Sequence, residues 1–205
     1  KQIEEANICF VGPSANVIQQ AGSKDEAKQL ARKLNVSVTP GEDRITARTL
    51  LKKAGGNDPS QFLKNLIDRH QLPVPTDLQL NSDILDQAEQ ILQASYKRQI
   101  DLFSIEELQS ETLICCKEIW AKNPGRRLRF KHIGGGGGKG QRVIQSEADI
   151  EAAVRAVLIE ARVTGPGYNK TFLIEMNIED TRHNEVQLLG NGQWCIELGG
   201  RDCSL

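Results

Sequence analysis

The chain has 205 residues, enough to bury a sizeable core in one or two domains. Its 26 Lys+Arg against 27 Asp+Glu leave a formal charge of −1, which excludes the bulk electrostatic footprint of a nucleic-acid or anionic-membrane binder; any anion must be held by a local site. No apolar run approaches the roughly 20 residues that span a bilayer, and the charged start Lys1-Gln2-Ile3-Glu4-Glu5 does not read as a signal peptide. Cys9, Cys115, Cys116, Cys195 and Cys203 form no CxxC pair and are odd in number, a pattern of reduced thiols in a cytoplasmic compartment rather than of a zinc knuckle or a disulfide framework.

Three stretches differ in character: 1–41, 42–124 and 125–205. In the first, the apolar run Asn7-Ile8-Cys9-Phe10-Val11, ended by Gly12-Pro13-Ser14, predicts a buried strand stopping in a turn. Ser23 with Glu26 three residues on has the form of a capping box, opening a helix whose Ala27, Leu30, Ala31 and Leu34 recur at helical spacing. Val36-Ser37-Val38 predicts a short strand that Pro40-Gly41 breaks. The second stretch is polar and helical in pattern, with Leu50, Leu51, Phe62, Leu63, Leu66 and Ile67, then Ile84, Leu85, Ala88, Ile91 and Leu92 recurring in threes and fours. Its last helix runs from about Ile105 to Ala121, and nothing in it carries chemistry, so it reads as a helical insertion or connector.

The third stretch is the informative one. Leu128 to Ile133 alternates like a strand and runs into Gly134–Gly138, Lys139 and Gly140; Arg142-Val143-Ile144 is the returning strand. Ser146 and Asp149 cap a helix with the apolar face Ile150, Ala153, Val154, Val157, Leu158 and Ala161, stopped by Gly165-Pro166-Gly167. Thr171 to Ile174 is a strand, and Val186–Leu189 with Trp194–Ile196 form a hairpin whose Asn191-Gly192 favours a tight primed turn. Strand, glycine loop, strand, helix, strand and hairpin make an α+β pattern, a small antiparallel sheet with a helix on one face.

Five consecutive glycines carry a high entropic cost and offer no side chain to pack, so something must approach their backbone closely. Free N–H groups with Lys139 among them suit a polyphosphate; the alternative is a flexible linker, but this run lies between two strands. A P-loop is excluded, because Ile133 stands where its first glycine belongs and Gly140 where its Ser or Thr belongs. The dinucleotide fingerprint must open a helix, and Val143-Ile144 extends instead. A glycine hairpin folding over phosphates as a lid fits better. Lys131, at the end of the preceding strand, can reach the same phosphates, while Lys24 sits in the first turn of a helix, where a cation opposes the dipole.

Phe10-Val11-Gly12-Pro13-Ser14, Gly22-Ser23-Lys24, Lys131 with the run Gly134 to Val143, Ile174-Glu175, Arg182-His183-Asn184-Glu185-Val186-Gln187 and Arg201-Asp202-Cys203-Ser204-Leu205 together resemble biotin carboxylase. The resemblance implies an ATP-grasp fold in which Mg2+-ATP activates bicarbonate and the carboxyl group passes to biotin on a carrier. It implies biotin carboxyl carrier and carboxyltransferase partners. It puts Lys24 and Lys131 on ATP, Gly137 and Gly138 over its phosphates, the segment Glu175, Met176, Asn177 and Ile178 on adenine, and His183 beside the nucleotide. The family usually has Glu-Lys-Tyr-(Leu or Ile) where this chain has Glu175-Met176-Asn177-Ile178, and a glutamate where it has Gly200. The family's magnesium ligands, its basic residues for bicarbonate and biotin, and its general base follow Arg-Asp-Cys-Ser, so the expectation is a part of a larger carboxylase with no catalytic or metal residue of its own, inactive in isolation. A carbamoyl-phosphate synthetase-like ligase and a non-catalytic interaction module are the competing readings.

Overall fold

The computed structural model describes residues 2–6, 8, 10–22, 24–73, 83–133, 140–160 and 167–204. The order of elements is α1 (Gln2–Glu5), α2 (Ala15–Gly22), α3 (Lys24–Lys33), β1 (Gly41–Glu42), α4 (Ile45–Lys52), α5 (Pro59–His70), α6 (Ile84–Lys97), α7 (Ile105–Lys122), β2 (Leu128–His132), β3 (Gln141–Ile144), α8 (Ile150–Glu160), β4 (Phe172–Met176), β5 (Asn184–Gly190) and β6 (Cys195–Asp202). The fold is α+β. One antiparallel sheet has the order β1-β4-β2-β3, and β5-β6 form a separate hairpin.

Local chemistry explains where the helices start. Asp58 caps α5 by accepting from Ser60 N–H, with Pro59 in the first turn where its missing donor costs nothing. At α7, Ser104 and Glu107 form a reciprocal capping box, at 3.1 and 2.7 Å. The predicted Ser146–Asp149 box is present and leads through a 3-10 turn, Glu147–Asp149, into α8.

Alternation in the strands gives the sheet two unlike faces. Cross-strand partners put Leu128, Phe130, Ile144, Phe172 and Ile174 on one face, all buried, where α8 packs with Val154 and Val157. The rings of Phe130 and Phe172 lie 5.3 Å apart and tilted. Leu50 of α4, Ile91 and Leu92 of α6, and Leu108, Cys115 and Cys116 of α7 belong to the same core cluster. The opposite face carries Arg129, Lys131, Gln141 and Glu175.

Three expectations for the first stretch are corrected. No strand forms at the predicted run 7–11: residues 8, 10 and 11 have no ladder, with Ile8 61% and Val11 96% exposed, while 7 and 9 lie outside the described residues. Residues 36–38 join no strand ladder, and Val36 N–H donates instead to Ala31 O at 2.8 Å. Both runs are apolar enough for strands, but a strand exists only where a neighbour supplies its hydrogen bonds. The pairing falls instead on Gly41–Glu42, expected as a break, which lie against Glu175 and Ile174 of β4. The helix after Gly22 is present as α3, but Ser23 of its expected capping box lies outside the described residues, as do Gly165 and Pro166. In the β5–β6 turn, Gly192 supplies a φ of +91°, and Asn191 Oδ1 accepts from the N–H groups of Gln193 and Trp194.

Gly41 is required by close approach: a Cβ there meets Ile174 O at 2.0 Å. Gly41→Ala is expected to destabilise the chain by about 1–3 kcal/mol, read as a lowered urea midpoint; an unchanged midpoint would show that β1 does not lie against β4.

Candidate functional site

The polar face of the sheet and its end bring together three of the predicted site residues, Lys24, Lys131 and Glu175. β2 alternates so that Arg129 and Lys131 share this face, and the β2–β4 register sets Arg129 opposite Glu175 and Lys131 opposite Leu173. Lys131 Nζ lies 2.5 Å from Glu175 Oε2. The other carboxylate oxygen, Oε1, accepts from Lys28 Nζ at 3.0 Å, and Lys28 also donates to Thr39 O at 3.1 Å. One turn earlier on α3, Lys24 Nζ donates to Ile133 O at 3.3 Å, at the residue that enters the glycine run. Lys24 and Lys131 are thus brought to the same end of the sheet.

This site carries a surplus of positive charge: two lysines share one carboxylate, and a third, Lys24, reaches the Ile133 carbonyl. The Glu175 side chain is only 9% exposed, against 12% for Lys28 and 29% for Lys131. A carboxylate so buried is costly unless paired. Burial works to raise its pKa, but hydrogen bonds and charge from Lys131 and Lys28 outweigh that and hold it below the usual glutamate range.

The glycine run is anchored at its base. His132 N–H donates to Gly140 O at 3.0 Å, and Gly140 N–H donates to Glu160 Oε2 at 2.8 Å. The other Glu160 oxygen pairs with Arg142. Burial lowers the His132 pKa, helped by the charge of Lys24 and opposed by a hydrogen bond with the Asn169 backbone. Gly137 and Gly138 lie outside the described residues.

Along the segment expected at adenine, Met176 N–H donates to Pro40 O at 2.8 Å and Asn177 N–H to Arg127 O at 2.7 Å. The Asn177 side chain is buried, accepting from Arg129 Nε at 2.8 Å and donating to Glu179 at 3.1 Å. Ile178 is half exposed. The backbone hydrogen bonds of His183 run to the end of the hairpin: its N–H donates to Ser204 Oγ and its carbonyl accepts from Cys203 N–H. The two charged segments noted in the sequence are one structure. Arg182 pairs with Asp202 and Glu185 with Arg201 across β5–β6. Among the described residues no group of three or more His, Cys, Asp or Glu is placed to hold a metal, and no helix is long and apolar enough to cross a membrane.

This architecture is the ATP-grasp fold. Residues 120–205 match the family model of the carbamoyl-phosphate synthase L chain, ATP binding domain. Over the whole chain the sequence is 27% identical to biotin carboxylase of Pseudomonas aeruginosa, covering 31% of that protein, and 25% identical to pyruvate carboxylase of Aspergillus terreus, covering 12%. Biotin carboxylase 1 of Bacillus subtilis is 28% identical over 98% of the chain. Among solved structures, the biotin carboxylase domain of Hydrogenobacter thermophilus 2-oxoglutarate carboxylase, in complex with MgADP, ADP and bicarbonate, matches with a TM-score of 0.57 at 24% identity, covering 100% of this chain and 30% of that one. The chain is therefore similar to biotin carboxylases along its whole length, and it spans about a third of the length of those it matches.

Lys28 is the residue that the sequence reading passed over. Its signal was present: four residues after Lys24 on a helix, it shares that lysine's face. The ion pairs at Glu175 also fix a pH dependence. A carboxyl whose folded pKa is depressed contributes stability that is complete at neutral pH and is lost as pH falls from its unfolded value, about 4.3, through its folded one. Glu175→Gln is expected to cost about 1–3 kcal/mol at pH 7 and to flatten the loss of stability below about pH 4.5. Denaturant unfolding at pH 7 and at pH 3.5 measures both; parallel losses in wild type and variant would refute the pairing.

Proposed function

We propose that the chain is the ATP-binding part of a biotin carboxylase, a ligase in which Mg2+-ATP and bicarbonate drive carboxylation of biotin on a carrier. The observation that carries this reading is the convergence of Lys24 and Lys131 at the base of the glycine run, with surplus positive charge beside a buried glutamate. Phosphoryl transfer depends on positioning and charge clamps, and lysines at the root of a glycine hairpin supply both for a triphosphate. In this reading Lys24 and Lys131 are phosphate partners, and Gly137 and Gly138 cover the phosphates. The segment Glu175, Met176, Asn177 and Ile178 borders adenine, and His183 lies beside the nucleotide. Mg2+ would arrive on the phosphates and neutralise charge there; none of the described residues is assigned to it.

The solved relative's complex with MgADP and bicarbonate supports the ligand set. Biotin carboxylases and pyruvate carboxylases match along the whole chain or nearly so, which favours this reading over a carbamoyl-phosphate synthetase-like ligase. Biotin, its carrier protein and a carboxyltransferase are the implied partners, and the compartment is the cytoplasm. Cys115 and Cys116 suit it as buried thiols, Cys116 pushed up to about 12 by burial and Cys115 higher still, so that neither is a thiolate at neutral pH.

Calorimetric titration with Mg-ATP is expected to show saturable binding, weakened about tenfold or more by Lys24→Ala and by Lys131→Ala, the loss of one charge-assisted contact each. No binding by the wild type would leave the non-catalytic module as the reading. Binding that ignores Lys131→Ala would remove that lysine from the phosphates.

A further inference from the structure

Lys28 has no role in the reading above, yet its side chain is more deeply buried than that of Lys131: 12% exposed against 29%. Its ammonium is held twice, by Glu175 Oε1 at 3.0 Å and by Thr39 O at 3.1 Å. Two of the three ammonium donors are thus held by the protein, which makes Lys28 a tether rather than a mobile donor. Glu175 divides its two oxygens, one to each lysine.

The charge balance gives this division a consequence. Were Lys131 the sole partner of Glu175, the two would form a neutral ion pair, and a phosphate would have to compete with the carboxylate for Lys131 while being repelled by it. With Lys28 on the other oxygen, two ammoniums share one negative charge and the trio carries a net charge of +1. In a site this buried, the surplus charge acts at reduced screening. Resting on the nucleotide reading, we infer that Lys28 is a positioning residue for the phosphate site: it holds and neutralises Glu175, so that Lys131 can offer its charge to a polyphosphate. The chemical class it serves is the polyanionic tail, not the base.

The alternative is a purely structural bridge from α3 to β4, and ligand dependence separates the two. Wild type, Lys28→Met, Lys28→Arg, Glu175→Gln and the double variant Lys28→Met/Glu175→Gln are titrated calorimetrically with Mg-ATP, AMP and inorganic tripolyphosphate, and their folding is followed by thermal unfolding. Lys28→Met is expected to weaken ATP and tripolyphosphate by about tenfold and AMP by much less. Lys28→Arg should stay within about threefold of wild type. The double variant should recover most of the lost ATP affinity, because the carboxylate that Lys28 masked is gone. Glu175→Gln, which supplies the test should Lys28→Met not fold, should raise the ratio of tripolyphosphate to AMP affinity. Equal weakening of all three ligands, or no recovery in the double variant, overturns the proposal. Wild type that binds none of the three overturns the nucleotide reading itself, a separate result.

Discussion

Glu175 sits where three elements meet, and the arrangement of the site follows from its two oxygens. One draws in Lys28 from α3, the other Lys131 from β2, while Glu175 itself belongs to β4. A buried carboxylate must be paired, so the cost of burying it is what fixes α3 over the polar face of the sheet. Once Lys28 is placed, Lys24 lies on the same helical face one turn away and reaches Ile133 at the root of the glycine run.

That position for Glu175 depends in turn on register. A slip of one residue in β4 would turn its carboxylate toward α8 and bring Ile174 to the polar side. The apolar face prevents this, since Phe172 and Ile174 pack with Leu128, Phe130 and Val157 in one continuous core. On the far side of β4, Gly41 lets β1 approach so closely that no side chain fits. At the strand's end, Met176 and Asn177 are fixed by hydrogen bonds to Pro40 and Arg127. The apolar core and the charged site are thus two results of the same alternation.

Elements governed by short-range chemistry were legible in the sequence. The alternation of β2 and the Ser146–Asp149 cap both depend on residues close in the chain, and both appear where expected. Elements decided by distant partners were not. β1 has two residues and no pattern, and it exists because Ile174 and Glu175 lie beside it. The apolar runs at 7–11 and 36–38 had the composition of strands, but their described residues join no ladder. Lys28 failed for the same reason: a lysine on a polar helix resembles a solvated one until a carboxylate 147 residues away is brought to it. Lys131 was legible beside the glycine run and Lys24 as a cation in a first helical turn, but what joined them was resemblance to a family, and the structure brings both to one end of the sheet.

The hairpin shows what the departures from that family mean. Arg182 with Asp202 and Glu185 with Arg201 pair across β5 and β6, so the two charged segments depend on each other, and changing either strips a partner from the other. Gly199 and Gly200 lie side by side in β6 but differ in kind. Gly199 has φ of +103°, a conformation that side chains resist, whereas a Cβ at Gly200 meets only Glu185 O at 3.7 Å, an ordinary contact. The backbone accepts a side chain at 200, so the glycine that replaces the family's usual glutamate there is not required by the fold. The difference at that position lies in chemistry: a carboxylate is missing from a strand that has room for it.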